Sequence, residues 1–175
     1  MSIELPRNWL ALSNNQKFTL DTAVEAALDL TTIVSPISTL PFAANYYDDT
    51  GRVAAMMNLR YYPELDISQR EAAEVSAADV QEIDAALKER VTQGVEASGS
   101  TITSWKGTEK VKISGIVAFE TEYFRRSLRS SDNFRVRLVR VFAGPRSFTL
   151  TVSYLASDIW ILEKITDHII ASLRM

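Results

Sequence analysis

The chain has 175 residues, of which 46% are hydrophobic and 23% are charged, so its composition is that of an ordinary globular domain. It contains no cysteine, which excludes disulfides, thiolate catalysis and zinc–thiolate sites in these residues. No apolar stretch reaches the roughly 18 residues that a membrane span needs. A chain of this length buries about 70% of its unfolded surface, so we expect residues 1–175 to form a single domain with a sizeable core.

The net charge of −3 conceals an asymmetry along the chain. Residues 1–100 carry 15 acidic and 7 basic side chains, whereas residues 101–175 carry 7 acidic and 12 basic ones. Seven arginines fall within the 22 residues from Arg125 to Arg146. The overall pI of about 5.3 and the lack of a recognition motif with interleaved aromatics argue against nucleic-acid binding.

In chain order, residues 3–12 are predicted to be the opening strand, with Trp9 as a core anchor. Residues 19–32 have the composition of a short helix. Residues 43–62 have the pattern of a β-hairpin, because Asp48-Asp49-Thr50-Gly51 is a turn sequence between two apolar runs.

Residues 68–95 are predicted to be helical, either as one helix or as two that meet near Ser76. Ser68 with Glu71 and Ser76 with Asp79 both resemble capping boxes, which mark helix starts. The core-facing stripe has apolar residues spaced three or four apart. It consists of Val80, Ile83, Leu87 and Val91.

The stretch from residue 101 to 155 predicts an antiparallel meander, because its turns are too short for parallel crossovers. Its four predicted strands are residues 101–106, 110–124, 134–139 and 147–154. We expect a turn at Lys106-Gly107 and a bulge at Gly115. In the last strand, apolar and aromatic residues at every second position alternate with Ser and Thr. This alternation predicts one packed face and one solvent-facing face. The packed face would consist of Phe148, Leu150, Val152 and Tyr154.

Residues 158–173 are predicted to be a closing helix, with Asp158 as its N-cap and an apolar stripe along one side. The stripe consists of Leu162, Ile165, Ile169 and Leu173, flanked by Ile161 and Ile170. An antiparallel sheet has a face to bury, and amphipathic helices bury it. The predicted fold class is therefore α+β, an antiparallel sheet packed by helices.

The sequence carries no nucleotide-binding, zinc-protease, hydrolase or calcium-loop motif. Its single histidine, His168, lies on the polar side of the predicted closing helix without a base partner, so a solvent-exposed position is the favoured interpretation. We therefore expect that the protein is not an enzyme, that it has no catalytic or metal-binding residues and that it binds no cofactor.

The arginine cluster is the one candidate site. Several guanidiniums on a solvent-facing strand surface can bind a carboxylate, a phosphate or an acidic partner surface. The candidate partner-binding residues are Arg125, Arg126, Arg129, Arg135 and Arg137. Arg125 is expected to oppose Arg135 and Arg137 across a hairpin. The alternative is that Glu120, Glu122 and Asp132 neutralise these arginines, or that they coat a solvated face.

Four segments resemble the PsbP-like family: IELPRNWLAL at residues 3–12, NLRYYPEL at 58–65, KISG at 112–115, and the ending that runs from Phe148 to Met175. That family shares its α/β/α sandwich with the bacterial DcrB proteins and a yeast Ran-binding import factor. The resemblance implies a non-enzymatic binding or assembly domain. The bacterial relatives include exported lipoproteins and cytoplasmic chaperone-like adaptors of type VI secretion effectors.

Of three functional hypotheses, an unrecognised hydrolase is the least favoured, and two remain open. The first is a protein-binding adaptor or chaperone associated with bacterial secretion, with a protein partner that presents an acidic surface. A homodimer is left open, and the location is expected to be cytoplasmic, or periplasmic if a leader has been removed.

The second hypothesis is a helix-grip module for an apolar small molecule, in which the sheet wraps around the C-terminal helix. Its cavity would be lined by Trp105, Phe119, Tyr123 and Phe148. A cavity of a few hundred Å³ would favour this module, whereas an exposed apolar patch would favour the adaptor.

Overall fold

The computed structural model describes residues 3–6, 8–17, 39–62, 67–128, 131–142 and 146–174. The strands are β1 (Trp9–Ala11), β2 (Thr39–Tyr47), β3 (Val53–Tyr62), β4 (Ser100–Ile113), β5 (Ile116–Ser127), β6 (Asn133–Phe142) and β7 (Ser147–Leu155). The helices whose full extent lies within these residues are α1 (Gln69–Glu74), α2 (Ala77–Ala97) and α3 (Ile159–Ala171). The helix predicted at residues 19–32 lies outside the described residues.

All seven strands belong to one antiparallel sheet with the order β1-β2-β3-β7-β6-β5-β4. The first three strands form a meander, and α1 and α2 then carry the chain to the far edge of the sheet. The last four strands return from that edge until β7 pairs with β3. Because α2 has 21 residues, it is about 32 Å long, enough to cross this distance.

The α/β/α arrangement is confirmed, since helices cover both faces of the sheet. On one face α3 packs against β6 and β7, and the centre of this core consists of Val139, Val141, Leu150, Val152, Leu162, Ile169, Ile170 and Leu173. On the other face, Ala72 of α1 packs with Phe119 and Phe142, and Val95 of α2 packs with Tyr123 and Val136. Neighbouring positions in β6 thus alternate between the two helical layers.

The prediction of one solvent-facing side for β7 is wrong. Ser147, Thr149 and Ser153 are 0%, 7% and 4% exposed, as buried as the apolar residues between them. The alternation of polar and apolar residues is real, but β7 is the central strand of the sheet and both of its faces are covered.

The turn predicted at Lys106-Gly107 is also misplaced. β4 continues to Ile113, and the turn to β5 is formed by Ser114 and Gly115, whose φ angles are 51° and 84°. A two-residue loop with positive φ at both positions matches the twist of an antiparallel pair. The pairing of β4 with β5 shifts register at two other places, between Ile102 and Ser104 and between Trp105 and Gly107.

The break between α1 and α2 at Ser76 is confirmed, because both predicted capping boxes are formed. Polar contacts then fasten the two helices to the sheet. The Gln69 amide donates to the Phe142 carbonyl at 2.6 Å, and the Trp105 indole donates to Asp84 at 3.0 Å. In α2 only Val95 is buried, and the predicted stripe from Val80 to Val91 is half-buried. The helix therefore stands partly away from the sheet and leaves space beneath it.

Candidate functional site

Arg135 and Arg137 of β6 face α3, and both are paired with carboxylates. Arg135 makes a bidentate contact with Glu122 of β5, through Nε at 3.0 Å and Nη2 at 2.8 Å, and its Nη1 also pairs with Glu163 of α3. Arg137 bonds Glu120 of β5 and Asp167 of α3. Burial lowers the pKa of Arg137, but these hydrogen bonds outweigh it and raise the pKa above its ordinary value. Each arginine thus connects a neighbouring strand to α3.

The structure does not bring the five predicted arginines into one patch. Arg125 pairs in register with Phe134, and its guanidinium lies 5.6 Å from that ring, so it is on the opposite face from Arg135. The expected opposition of Arg125 to Arg135 and Arg137 is therefore wrong. Arg126 is exposed near the end of β5, and Arg129 lies outside the described residues. The partner-binding role of these arginines stays a prediction.

A group of exposed side chains lies at one end of the sheet, where β5 and β7 end and β6 begins. Trp160 is 82% exposed and Ile161 is 66% exposed in the first turn of α3, and Leu128, just after β5, is 73% exposed. Arg126 is exposed and lies at the same end of the sheet, because it pairs with Asn133 at the start of β6. We call Arg126, Leu128, Trp160 and Ile161 the end patch.

An open cleft of about 300 Å³ lies beside the end patch, with Ile161 in its wall. The β2–β3 turn forms another wall and is held by Asp48, which accepts hydrogen bonds from the Thr50 hydroxyl at 2.6 Å and from the Arg52 amide at 3.0 Å. The Thr50 hydroxyl contributes most to lowering the pKa of Asp48 to about 2. The Asp48 carboxylate therefore stays ionised at an acidic pH at which an ordinary aspartate is protonated.

A second space lies between α2 and the sheet, with a volume of about 170 Å³. The helical side of it is formed by Ile67, Val75, Ile83 and Leu87, and the sheet side by Phe119, Thr121, Leu138, Arg140, Phe142 and Thr149. We call this space the α2 cavity.

The α2 cavity lies under a different helix from the one that the helix-grip hypothesis predicted. Of the four predicted aromatics, Phe119 lines it. Trp105 stacks on Tyr123 with ring centroids 5.6 Å apart. Phe148 packs beside Tyr61 at 5.3 Å, on the face that carries α3.

Arg140 is the charged residue of the α2 cavity. Its Nε donates to the Thr149 hydroxyl at 3.3 Å, and its guanidinium lies 5.6 Å from the centre of the Tyr62 ring. Burial lowers the pKa of Arg140, and the nearby Arg90 cation lowers it further. Within the part of the chain that the structure describes, no carboxylate pairs with Arg140.

The sequence predicted these sites only in part. Trp160 was missed, although a helical wheel places it about 200° from Leu162 and so away from the buried stripe. Arg140 was counted among the basic residues, but its burial follows from the distant packing of α1 and α2.

The described ranges contain no group of three or more His, Cys, Asp or Glu residues that could hold a metal ion. His168 is exposed and lies 3.6 Å from Glu4. None of the helices within those ranges is both long and apolar enough to span a bilayer.

The layers and strand order define a PsbP-like fold. Cyanobacterial PsbP (CyanoP) from Synechocystis sp. PCC 6803 superposes with a TM-score of 0.57 at 9% identity, over 97% of this chain and 83% of that one. At this identity, the likeness shows the fold alone.

Two other solved structures are similar at TM-scores of 0.46, too low to carry an argument. LpqN of Mycobacterium tuberculosis, involved in cell envelope biogenesis, is 11% identical over 97% of this chain and 79% of its own. PA94 of Pseudomonas aeruginosa, a protein of unknown function, is 14% identical over 83% of this chain and 87% of its own. The sequence matches no protein-family model and no curated protein.

Proposed function

We propose that this chain is a non-enzymatic protein-binding domain that works as an adaptor or chaperone. The observation that carries the proposal is the end patch, in which the consecutive α3 residues Trp160 and Ile161 are both exposed. Single exposed apolar residues are normal on a protein surface, but adjacent ones beside an open cleft are typical of interaction sites. Tryptophan and arginine are also enriched among the residues that contribute most to binding energy at interfaces.

The chemistry of the patch defines the partner. An apolar side chain of the partner would pack on Trp160 and Ile161. A carboxylate of the partner would face Arg126, which does not line the cleft, because the carboxylates in the cleft wall would repel it. These belong to Asp48, Asp49 and Asp158. Arg125 lies on the opposite face of the sheet and is not part of this surface. In this proposal Arg135 and Arg137 act by holding α3, and with it Trp160, in place. The association with bacterial secretion and the cytoplasmic location rest on the sequence resemblance.

Affinity purification of the tagged protein from its native cells tests the proposal, with mass spectrometry of the captured proteins. We expect one near-stoichiometric partner with the wild type and a loss of about ten-fold in captured amount with Trp160→Ser. The melting temperature should hardly change, because Trp160 is exposed. Arg126→Glu should weaken capture in the same way if the facing surface is acidic.

Leu10→Ser is the matched control, because Leu10 is 61% exposed but lies on the edge strand β1. It should retain the partner. Equal capture by wild type and Trp160→Ser would reject the end patch as the binding surface. Light scattering on the purified protein determines whether the partner is a second copy of this chain.

A further inference from the structure

The α2 cavity has a mostly apolar wall and one cationic side chain, Arg140, which makes few polar contacts. The Arg140 guanidinium offers five N–H donors, and Nε uses one of them on the Thr149 hydroxyl at 3.3 Å. The Tyr62 ring, at 5.6 Å, adds a cation–π contact. No carboxylate among the described residues neutralises this charge, in contrast to Arg135 and Arg137, which each have two.

Such an arrangement is unfavourable for stability. Arg140 is partly buried, and a cation that loses part of its hydration with no ionic partner among the described residues is not fully compensated by one neutral hydroxyl. The positive Arg90 nearby adds to the cost. The neighbouring positions on the same face of β6, Val136 and Leu138, are apolar. A charged residue at such a position is a candidate for a ligand-binding role.

The groups around Arg140 match an anion. The planar guanidinium binds a carboxylate through two parallel N–H···O bonds. The Thr149 hydroxyl accepts from Arg140 and retains its own proton for donation. Since the neighbouring side chains Phe119, Leu138 and Phe142 are apolar, an anion here would be held in a low-dielectric surrounding, where charge–charge attraction is stronger than in water.

The remaining walls match a compact apolar group. The cavity holds about 170 Å³, and a dry apolar cavity of about 150 Å³ in another protein takes benzene. Drug-sized ligands use roughly 300 Å³ or more, so the body of the ligand is small.

We propose that the α2 cavity binds a small organic monocarboxylate, with the carboxylate on Arg140 and Thr149 and a benzene-sized apolar body between Leu87 and Leu138. The site is independent of the end patch, which lies beside α3.

Titration of the wild-type protein with 3-phenylpropionate, followed by methyl and amide NMR, tests this proposal. The neutral probe 3-phenylpropanamide has nearly the same shape and provides the comparison. We expect saturable shifts at the methyl groups of Leu87 and Leu138, and a Kd for the acid about ten-fold lower than that for the amide. Equal Kd values, or no saturable shifts of these methyl groups with the acid, would overturn the proposal.

Two variants locate the charge that recognises the acid. Arg140→Met should remove the preference for the acid, because it keeps the side-chain length and deletes the guanidinium. Arg146→Met is the matched control, since Arg146 is exposed just before β7, and it should keep the preference. An undiminished preference in Arg140→Met would also overturn the proposal. If that variant does not fold, the wild-type comparison of acid with amide still decides the matter.

Discussion

At the scale of single residues, Arg135 and Arg137 are the contacts that position α3 on the sheet. Their side chains are 14% and 12% exposed, and each has one carboxylate partner on β5 and another on α3. Charges this far removed from water need such partners, and each arginine uses Nη1 to bond a carboxylate on α3. The two arginines therefore specify where the helix lies rather than simply adding attraction.

Replacing Arg137 by Gln should lower the free energy of unfolding by about 2–3 kcal/mol. Most of this loss should come from Glu120, which is 18% exposed and would lose its ionic partner, because Asp167 is 58% exposed and can be hydrated. Urea denaturation measures the change. Arg146→Gln, at an exposed position, should change stability by no more than about 0.5 kcal/mol, and an equally small change for Arg137→Gln would contradict the structural role.

Half of this network could be predicted from the sequence. Glu120 and Glu122 were named as alternative partners of the arginines, because they lie on a strand that pairs with β6. Glu163 and Asp167 were not, because their approach depends on how α3 crosses the sheet. Strand pairing is readable from alternation and turns, whereas the approach of a distant helix is decided by packing across the whole core.

At the scale of elements, the β4–β5 hairpin shows two glycines with different roles. Gly115 has a φ of 84° at the hairpin tip, and Gly107 has a φ of 111° at the bulge beside Trp105. The two roles are the reverse of those predicted from the sequence, in which both glycines follow a polar residue. Only the pairing of Trp105 with Tyr123, 18 positions apart in the chain, distinguishes them. Neither Lys106-Gly107 nor Ser114-Gly115 predicts that contact on its own.

Alanine substitutions at two glycines should change stability in opposite directions. Gly115→Ala should destabilise the protein by about 1 kcal/mol, because a Cβ atom is unfavourable at positive φ even though nothing lies within 4 Å. Gly94→Ala should stabilise it by about 0.5–1 kcal/mol, because Gly94 is inside α2 and its Cβ would also enter open space. Thermal unfolding of both variants measures the signs. Two changes of the same sign would contradict the assigned backbone conformations.

At the scale of the whole molecule, the two helical layers are packed unequally. The α3 layer buries Leu162, Thr166, Ile169 and Ile170, whereas α2 buries only Val95 along its length. The α2 cavity is the space that results. The PsbP-like layering could be expected from the sequence resemblance, but the position of this space could not, because it depends on where side chains fail to fill the gap.

Native-state hydrogen exchange should therefore report lower protection in α2 than in α3. We expect the amides of the middle turns of α2 to exchange about ten-fold faster than those between Leu162 and Ile170, because local opening of α2 exposes less buried surface. The amides of β7 provide the reference for global unfolding. Equal protection of the two helices would mean that the layers open together and would contradict the unequal packing.

The position of β7 has a consequence for synthesis on the ribosome. The strand that closes the centre of the sheet, residues 147–155, comes after the other six in the chain. Until it emerges, β3 and β6 each present an unpaired edge, and such edges can pair with the wrong chain. Before β7 emerges, β1–β3 and β4–β6 can each pair within their own group but cannot form one sheet, because β7 lies between β3 and β6. Slow translation of the codons before Ser147 would lengthen the period in which these edges are exposed.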